Sequence, residues 1–287
     1  MPYVLEKISL YENDTVKETN FVVKNDLFVS RDTSVNHIGF IRLQMDKYII
    51  IAGETMIGNL AEYQENRIEY TTKIVLLGAT TVLFPVDVTY EHQIKQALID
   101  ARKLLSEFPL DYVLVLRIPL SILRPSIVRF CRKHWIPGLI ICVHDLEELQ
   151  RIPITWIRDA VFPYKLVFIP HFLDWQEDQL LAWKQVFHDS NLAYVDDNIF
   201  AYEHLSKKLL KMLGIYPHRG ILRTGGEVTY NVVHDDNQPC LLNRQAAYSD
   251  KIEFTVFKNQ VIRAGSQISL PSKKGKELVI KIPGFFQ

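Results

Sequence analysis

The sequence predicts an α/β fold whose two ends come together as a small β-domain. Three observations lead there. Helical and strand patterns alternate through the middle of the chain, the strand patterns there are almost continuous apolar runs, and both ends are strand-rich without helical periodicity. Alternation argues for parallel βαβ units, and unbroken apolar runs argue for strands covered on both faces. Chain ends tend to lie close together, so residues 1–52 and 214–287 are expected to form one composite β-domain beside an α/β domain over 53–213.

Each element follows in order. Residues 1–52 carry short apolar runs (Val4, Ile8, Leu10; Phe21–Val23; Leu27–Val29) punctuated by Asn13-Asp14 and Lys24-Asn25-Asp26, which have turn chemistry. Glu62 to Leu77 has helical period and stops at Gly78. Thr80–Phe84 is a β-branched buried strand. Glu91–Phe108 is an amphipathic helix closed by Pro109, and Asp111–Leu116 is the next strand. Ser121–Trp135 reads as a helix kinked at Pro125. Leu139–Val143 is a strand, followed by helical pieces over Asp145–Gln150 and Pro153–Val161, then a strand over Lys165–Ile169. Asp174 is the expected N-cap of a helix reaching Phe187. Leu192–Val195 reads as a strand and Ala201–Leu213 as a helix ended by Gly214. Beyond it, Val228–Val233, Ile252–Phe257, Gln260–Arg263 and Leu278–Ile282 read as strands, with Lys258-Asn259 as a hairpin turn.

Composition narrows the function classes. Thirty-three Lys plus Arg against 33 Asp plus Glu give no net charge, so there is no basic excess to neutralise a nucleic-acid backbone or hold an anionic membrane. Three scattered cysteines (Cys131, Cys142, Cys240) form neither a C-x-x-C pair nor a disulfide framework, which points to a reducing compartment. The N-terminus lacks the apolar stretch of a secretory signal, and apolar runs such as Tyr48–Ala52 are strand-sized rather than the roughly 20 residues that span a bilayer. A cytoplasmic protein is expected.

Four stretches resemble one family. Ser9–Thr15 resembles an opening strand and turn, Leu77-Gly-Ala-Thr-Thr-Val-Leu-Phe-Pro85 a helix end followed by a barrel strand, and Asp111–Leu114 the strand after it. Leu209–Val233 resembles a last barrel helix and the return to a β-domain, with Gly220 and Gly226 matching the family's glycines and Glu227 standing for its acidic pair. Together they resemble the amidohydrolases of the dihydroorotase and hydantoinase branch. That resemblance implies a TIM-like (β/α) barrel with a β-domain formed by both termini, and in active relatives a metal-dependent hydrolysis of cyclic amides.

The family's metal site is not spelled out here. The resemblance implies a His-x-His pair on the first barrel strand, where residues i and i+2 point the same way and bind one ion. The two positions fall on Gly58 and Leu60, which have no donor atom, and Thr55–Ala61 contains no His, Asp, Glu or Cys. The bridging lysine of the fourth strand is missing from Leu139–Asp145. His171 follows a strand in the place of a later metal-binding histidine, and Asp196 and Asp197 are the nearest candidates for the aspartate that activates water. Length agrees with a loss. Tyr48–Leu213 holds five or six units at about 30 residues each, short of the roughly 250 residues of a closed eightfold barrel. Six strands are expected, in an incomplete or distorted barrel with strands lost between Phe187 and Ala201. Its open edge must be covered by a helix, the β-domain or another chain.

The candidate residues each carry two readings. His144-Asp145 can be a general base with its orienting carboxylate, or Asp145 can simply cap the helix after it. Asp87 can hold a ligand, or a local turn. Asp196 and Asp197 can hold a cation, or cap and solvate a turn. His171 can ligate a metal, or be structural. Trp156, Trp175 and Trp183 read as core or interface residues. The expected function is that of a pseudoenzyme with no catalytic, cofactor or metal residues, acting in binding, scaffolding or self-association. Two alternatives stand beside it: a C–N hydrolase with a rearranged site built from His144, Asp145, His171, Asp87, Asp196 and Asp197, with zinc as its cofactor, and a small-molecule binding protein.

Overall fold

The computed structural model describes residues 1–32, 39–172, 177–234, 246–271 and 273–284. Asp174, Trp175 and Cys240 lie outside them. The chain opens with strands β1 (Tyr3–Glu12), β2 (Thr15–Lys24) and β3 (Leu27–Asp32). They are joined at Asn13-Asp14 and Asn25-Asp26, all four residues with positive φ, the backbone that tight hairpin turns require. Strands β4 (Ile41–Gln44), β5 (Tyr48–Ala52) and β6 (Glu54–Ile57) follow. The helix expected over 62–77 is two, α1 (Leu60–Glu65) and α2 (Arg67–Leu76). Asn66 divides them: its backbone is extended and its side chain accepts a hydrogen bond from the Glu69 N–H, so a new N-terminus begins there. Gly78 then stops α2 with φ +81°, a conformation that a side chain would strain.

Next come β7 (Ala79–Asp87), α3 (Ile94–Leu104, with a 3-10 turn at each end) and β8 (Asp111–Pro119). Helix α4 (Pro125–His134) begins at the proline instead of being kinked by it. At the first helical position the missing N–H would be unpaired in any case. Then follow β9 (Gly138–Val143), α5 (Leu146–Arg151), α6 (Ile154–Val161), β10 (Val167–Phe172), α7 (Glu177–Asp189), α8 (Lys207–Leu213), β11 (Tyr230–His234), β12 (Ile252–Phe257), β13 (Gln260–Ala264) and β14 (Gln267–Ile268). Helix α8 is shorter than expected because residues 202–204 pair with β6, and Ser206 caps the helix only after that. The strand expected at 192–195 is reduced to an isolated bridge of Tyr194 with Phe168, and no strand forms over 278–282, where the pairing is a bridge of the preceding Glu277 with Tyr112. No described helix is long and apolar enough to cross a membrane.

By internal contacts the chain divides into two compact units. The first comprises 1–55, 66–81 and 218–273. Its sheet has nine strands in the order β14-β13-β12-β11-β5-β1-β2-β3, with β4 added beside β1. N-terminal and C-terminal chain meet at the antiparallel pair β5–β11, where Ile50 faces Val232. Leu5, Ile8, Phe21, Phe28, Ile50, Val228 and Val232 form its core. Helix α2 belongs to this unit. Arg263 donates to the Leu76 carbonyl, and Asn231 Nδ2 donates to the Gly78 carbonyl at 2.8 Å.

The second unit comprises 56–65, 82–217 and 274–287. Its sheet is a curled half-barrel of five strands, not six, in the order β10-β9-β8-β7-β6, with parallel registers between β8, β9 and β10. Alternate residues point to opposite faces. Phe84 packs with Tyr63 and Phe108 on one face, and Phe168 with Phe187 of α7. On the other face Ile57, Leu83, Val113, Val115, Ile140, Val167 and Ile169 pack around Leu209, Leu210, Met212 and Leu213 of α8. Helix α8 therefore fills the inner face of the half-barrel. The fit is close: a Cβ on Gly138 would lie 2.9 Å from a methyl of Leu213. The tail adds Ile280 to this core and is held on β8 by Tyr112 N–H to the Lys276 carbonyl and Leu278 N–H to the Tyr112 carbonyl.

Both edges of the sheet are covered by the chain's own segment between α7 and α8. At β10, the Phe168 N–H donates to the Ala193 carbonyl and the Val195 N–H to the Phe168 carbonyl. At β6, the Ile57 N–H donates to the Glu203 carbonyl and the Tyr202 N–H to the Ile57 carbonyl. An edge thus paired offers little template to another chain.

Candidate functional site

In a parallel half-barrel, functional groups gather at the C-terminal ends of the strands. At β6 that end is Ile57-Gly58-Asn59-Leu60. The strand stops at Ile57 and Leu60 is already the first residue of α1, so Gly58 and Leu60 do not share a strand face. Asn59 carries the local chemistry as a cap: its Oδ1 accepts from the Ala61 N–H at 3.0 Å, and its Nδ2 donates to Glu62 at 3.0 Å. Tyr202 donates its hydroxyl to the other Glu62 oxygen, which ties the segment covering β6 to α1.

The ends of β7 to β10 bring together Asp87, Arg117, Cys142 and His171. Arg117 grips Asp87 with two parallel hydrogen bonds, the second at 2.6 Å between Nη2 and Oδ2. Neither reading of Asp87, a ligand site or a local turn, includes this bond: its carboxylate is engaged by a guanidinium thirty residues away. The pair raises the Arg117 pKa further, chiefly through its hydrogen bonds to Asp87. Cys142 and His171 face each other in the β9–β10 register. Burial raises the Cys142 thiol, with Arg117 opposing. Burial lowers His171, and Arg117 pushes the same way while Asp87 partly compensates. Beside them the buried Asn198 side chain imitates a strand partner: its Oδ1 accepts from the Phe172 N–H at 3.3 Å and its Nδ2 donates to the Phe172 carbonyl at 3.2 Å.

The remaining candidates do not join this cluster. His144 is exposed, and Asp145 is the N-cap of α5, accepting from the Glu147 N–H at 2.9 Å. Asp196 is paired with Lys208 at 3.1 Å. Burial pushes its pKa up, but the Lys208 hydrogen bond and charge outweigh this, and the net shift is downward. Asp197 accepts from the Asn198 N–H at 2.9 Å. Besides burial, Arg117, Asp87 and a backbone hydrogen bond at Ile199 act on His171. Trp183 is fully buried, whereas Trp156 is 71% exposed.

Burial sets the protonation of this cluster: it keeps the Cys142 thiol protonated and the His171 imidazole neutral. A raised thiol stays protonated near neutral pH and is a poor nucleophile, and Asp87 is engaged in an ion pair. Among the described residues, no three His, Cys, Asp or Glu side chains are arranged to hold a metal ion. Two cavities flank α8: one of about 200 Å³ lined by Ile57, Asn198, Glu203, His204, Lys208 and Met212, and one of about 600 Å³ lined by Leu192, Tyr194, Lys207, Lys208, Lys211 and Met212, of which only the second reaches the roughly 300–1,000 Å³ of ordinary ligand pockets. Arg117 is the residue that sequence reasoning passed over. Its signal was one charged residue near the end of an otherwise apolar strand.

Solved structures share this fold. The chain is similar to a dihydropyrimidinase from Brevibacillus agri, with TM-score 0.66 and 7% identity over 100% of both chains. A D-hydantoinase matches with TM-score 0.66 and 8% identity over 99% of this chain and 100% of its own. The D-hydantoinase of a Thermus species gives TM-score 0.60 and 8% identity over 99% and 100%. The fold is that of the hydantoinase-like amidohydrolases. At these identities the likeness is one of architecture. No family profile and no curated protein sequence matches the chain. The amidohydrolase-like fold implies zinc in its active members, and the residues at these strand ends do not fit it: Gly58 and Leu60 offer no ligand, and α8 packs against the inner face.

Proposed function

We propose that this chain is a non-catalytic protein on an amidohydrolase-like frame, which works by binding a protein partner in a reducing, cytoplasmic setting. One observation supports this reading most: α8 occupies the inner face of the half-barrel with Leu209, Leu210, Met212 and Leu213, while the β6 end presents glycine and leucine. A catalytic pocket needs an open, polar inner mouth with convergent donors. The Asp87–Arg117 pair is then a structural brace between β7 and β8. The two described cysteines, Cys131 and Cys142, are unpaired, in keeping with a reducing compartment.

The test is elemental analysis of the purified, dialysed protein together with an assay on hydantoin. The reading expects no stoichiometric zinc and no hydrolysis above the uncatalysed rate. Zinc retained near one ion per chain, with hydrolysis that a chelator abolishes and zinc restores, would overturn it.

A further inference from the structure

A groove of about 670 Å³ opens between the start of α4 and the helices α5 and α6. Three arginines line it, Arg124, Arg129 and Arg151, against one acid, Glu148. The side chains of Arg124 and Arg129 are exposed and make no ion pair or hydrogen bond among the described residues. Among the described residues, Arg151 pairs with Glu147, its neighbour one turn back, with side chains 75% and 73% exposed. So exposed a pair is worth little and exchanges readily.

The apolar part is equally unspent. Helix α6 buries Ile157, Ala160 and Val161, which fix it to the unit. Trp156 stands elsewhere on the helix, 71% exposed, and lines the same groove beside Leu123 and Pro153. A large indole surface left in water contributes nothing to folding by burial. Tryptophan and arginine are the side chains that most often dominate protein interfaces.

We propose that this groove docks an acidic segment of a partner protein, with one apolar or aromatic side chain packed on Trp156 and flanking carboxylates on Arg124 and Arg129. Charge complementarity selects this occupant. The guanidiniums match carboxylates in two-pronged geometry, and the floor supplied by Leu123 and Pro153 accepts an apolar anchor. The chain as a whole carries no net charge, and three local cations are too few to hold a nucleic-acid backbone against salt. The inference stands whether or not the half-barrel retains any chemistry.

Fluorescence anisotropy on the full chain tests it. The probes are a labelled peptide of glutamates around a central phenylalanine, the same peptide with lysines for glutamates, and polyglutamate. The glutamate–phenylalanine peptide is expected to bind, to weaken with added salt, and to lose about tenfold or more in affinity in Arg124→Glu/Arg129→Glu and, separately, in Trp156→Ala. The lysine peptide is expected not to bind, and polyglutamate to bind at least about tenfold more weakly. All three substituted residues are exposed, so the variants should melt like the parent. No binding of the glutamate–phenylalanine peptide up to about 1 mM, binding indifferent to either variant, or tighter binding of anionic vesicles or a single-stranded oligonucleotide would overturn the proposal.

Discussion

His171 shows how one side chain reports its surroundings. Burial and the Arg117 charge hold its pKa below the usual histidine value while Asp87 only partly offsets them. On acidification the unfolded chain therefore takes up its proton first, at about pH 6.5. The contribution of this group to stability is complete above that pH and is lost as the pH falls from there toward the folded value. Replacing His171 with Asn should flatten that part of the acid branch, measured as urea midpoints between about pH 7.5 and about pH 5. His134, lowered chiefly by burial and also by neighbouring cations, adds a slope of the same sign that the variant keeps. Asn198 makes a second test. Asn198→Ala leaves the N–H and carbonyl of Phe172 without their side-chain partner at a buried strand end, and should cost about 1–3 kcal/mol in urea unfolding. These two residues differ in how far they could be read from sequence. An apolar run marked the strand beside His171, but the expected strand ended at Ile169, whereas β10 runs through Phe172 and includes His171. The role of Asn198 was not legible, because it depends on a partner twenty-six residues away. The same holds for Arg117, whose meaning comes from Asp87.

Helix α8 is the element on which the functional reading turns. Its run Leu209-Leu-Lys-Met-Leu213 announces a helix and Gly214, with φ +74°, its end; that it begins at the Ser206 cap and not at Ala201 is shown by the structure. Where it packs was not announced, since an apolar stripe is the same whether it lies outside a sheet or within its curl. Leu213 is fully buried against the sheet, so Leu213→Ala should cost about 2–5 kcal/mol, because neighbours close a core cavity only in part. Ser206→Ala should cost about 1 kcal/mol through the lost cap to the Leu209 N–H. Urea unfolding followed by circular dichroism gives both. Elsewhere, local chemistry was legible where it was self-contained: Asp145 as the cap of α5, and Lys258-Asn259 as the turn between β12 and β13. It failed where a distant strand competed. Residues 201–206 have helical composition, but pairing with Ile57 draws the chain out before the helix starts.

At the scale of the whole molecule, equal numbers of acidic and basic residues set a pI near 7.1. Self-repulsion is weakest there, so solubility should pass through a minimum near neutral pH and recover on either side; light scattering against pH checks this. The sequence by itself determined the α/β middle, the strand-rich ends joined in one sheet, and the missing donors at Gly58 and Leu60. All of these follow from periodicity, turn residues and residue type, which are properties of neighbours along the chain. Only the tertiary structure decided that the half-barrel has five strands, that its edges are covered by residues 193–204, that α8 fills its inner face, and that Trp156 and three arginines share one groove. Those outcomes rest on contacts between residues far apart in sequence, where several placements satisfy the same local pattern and packing alone selects among them.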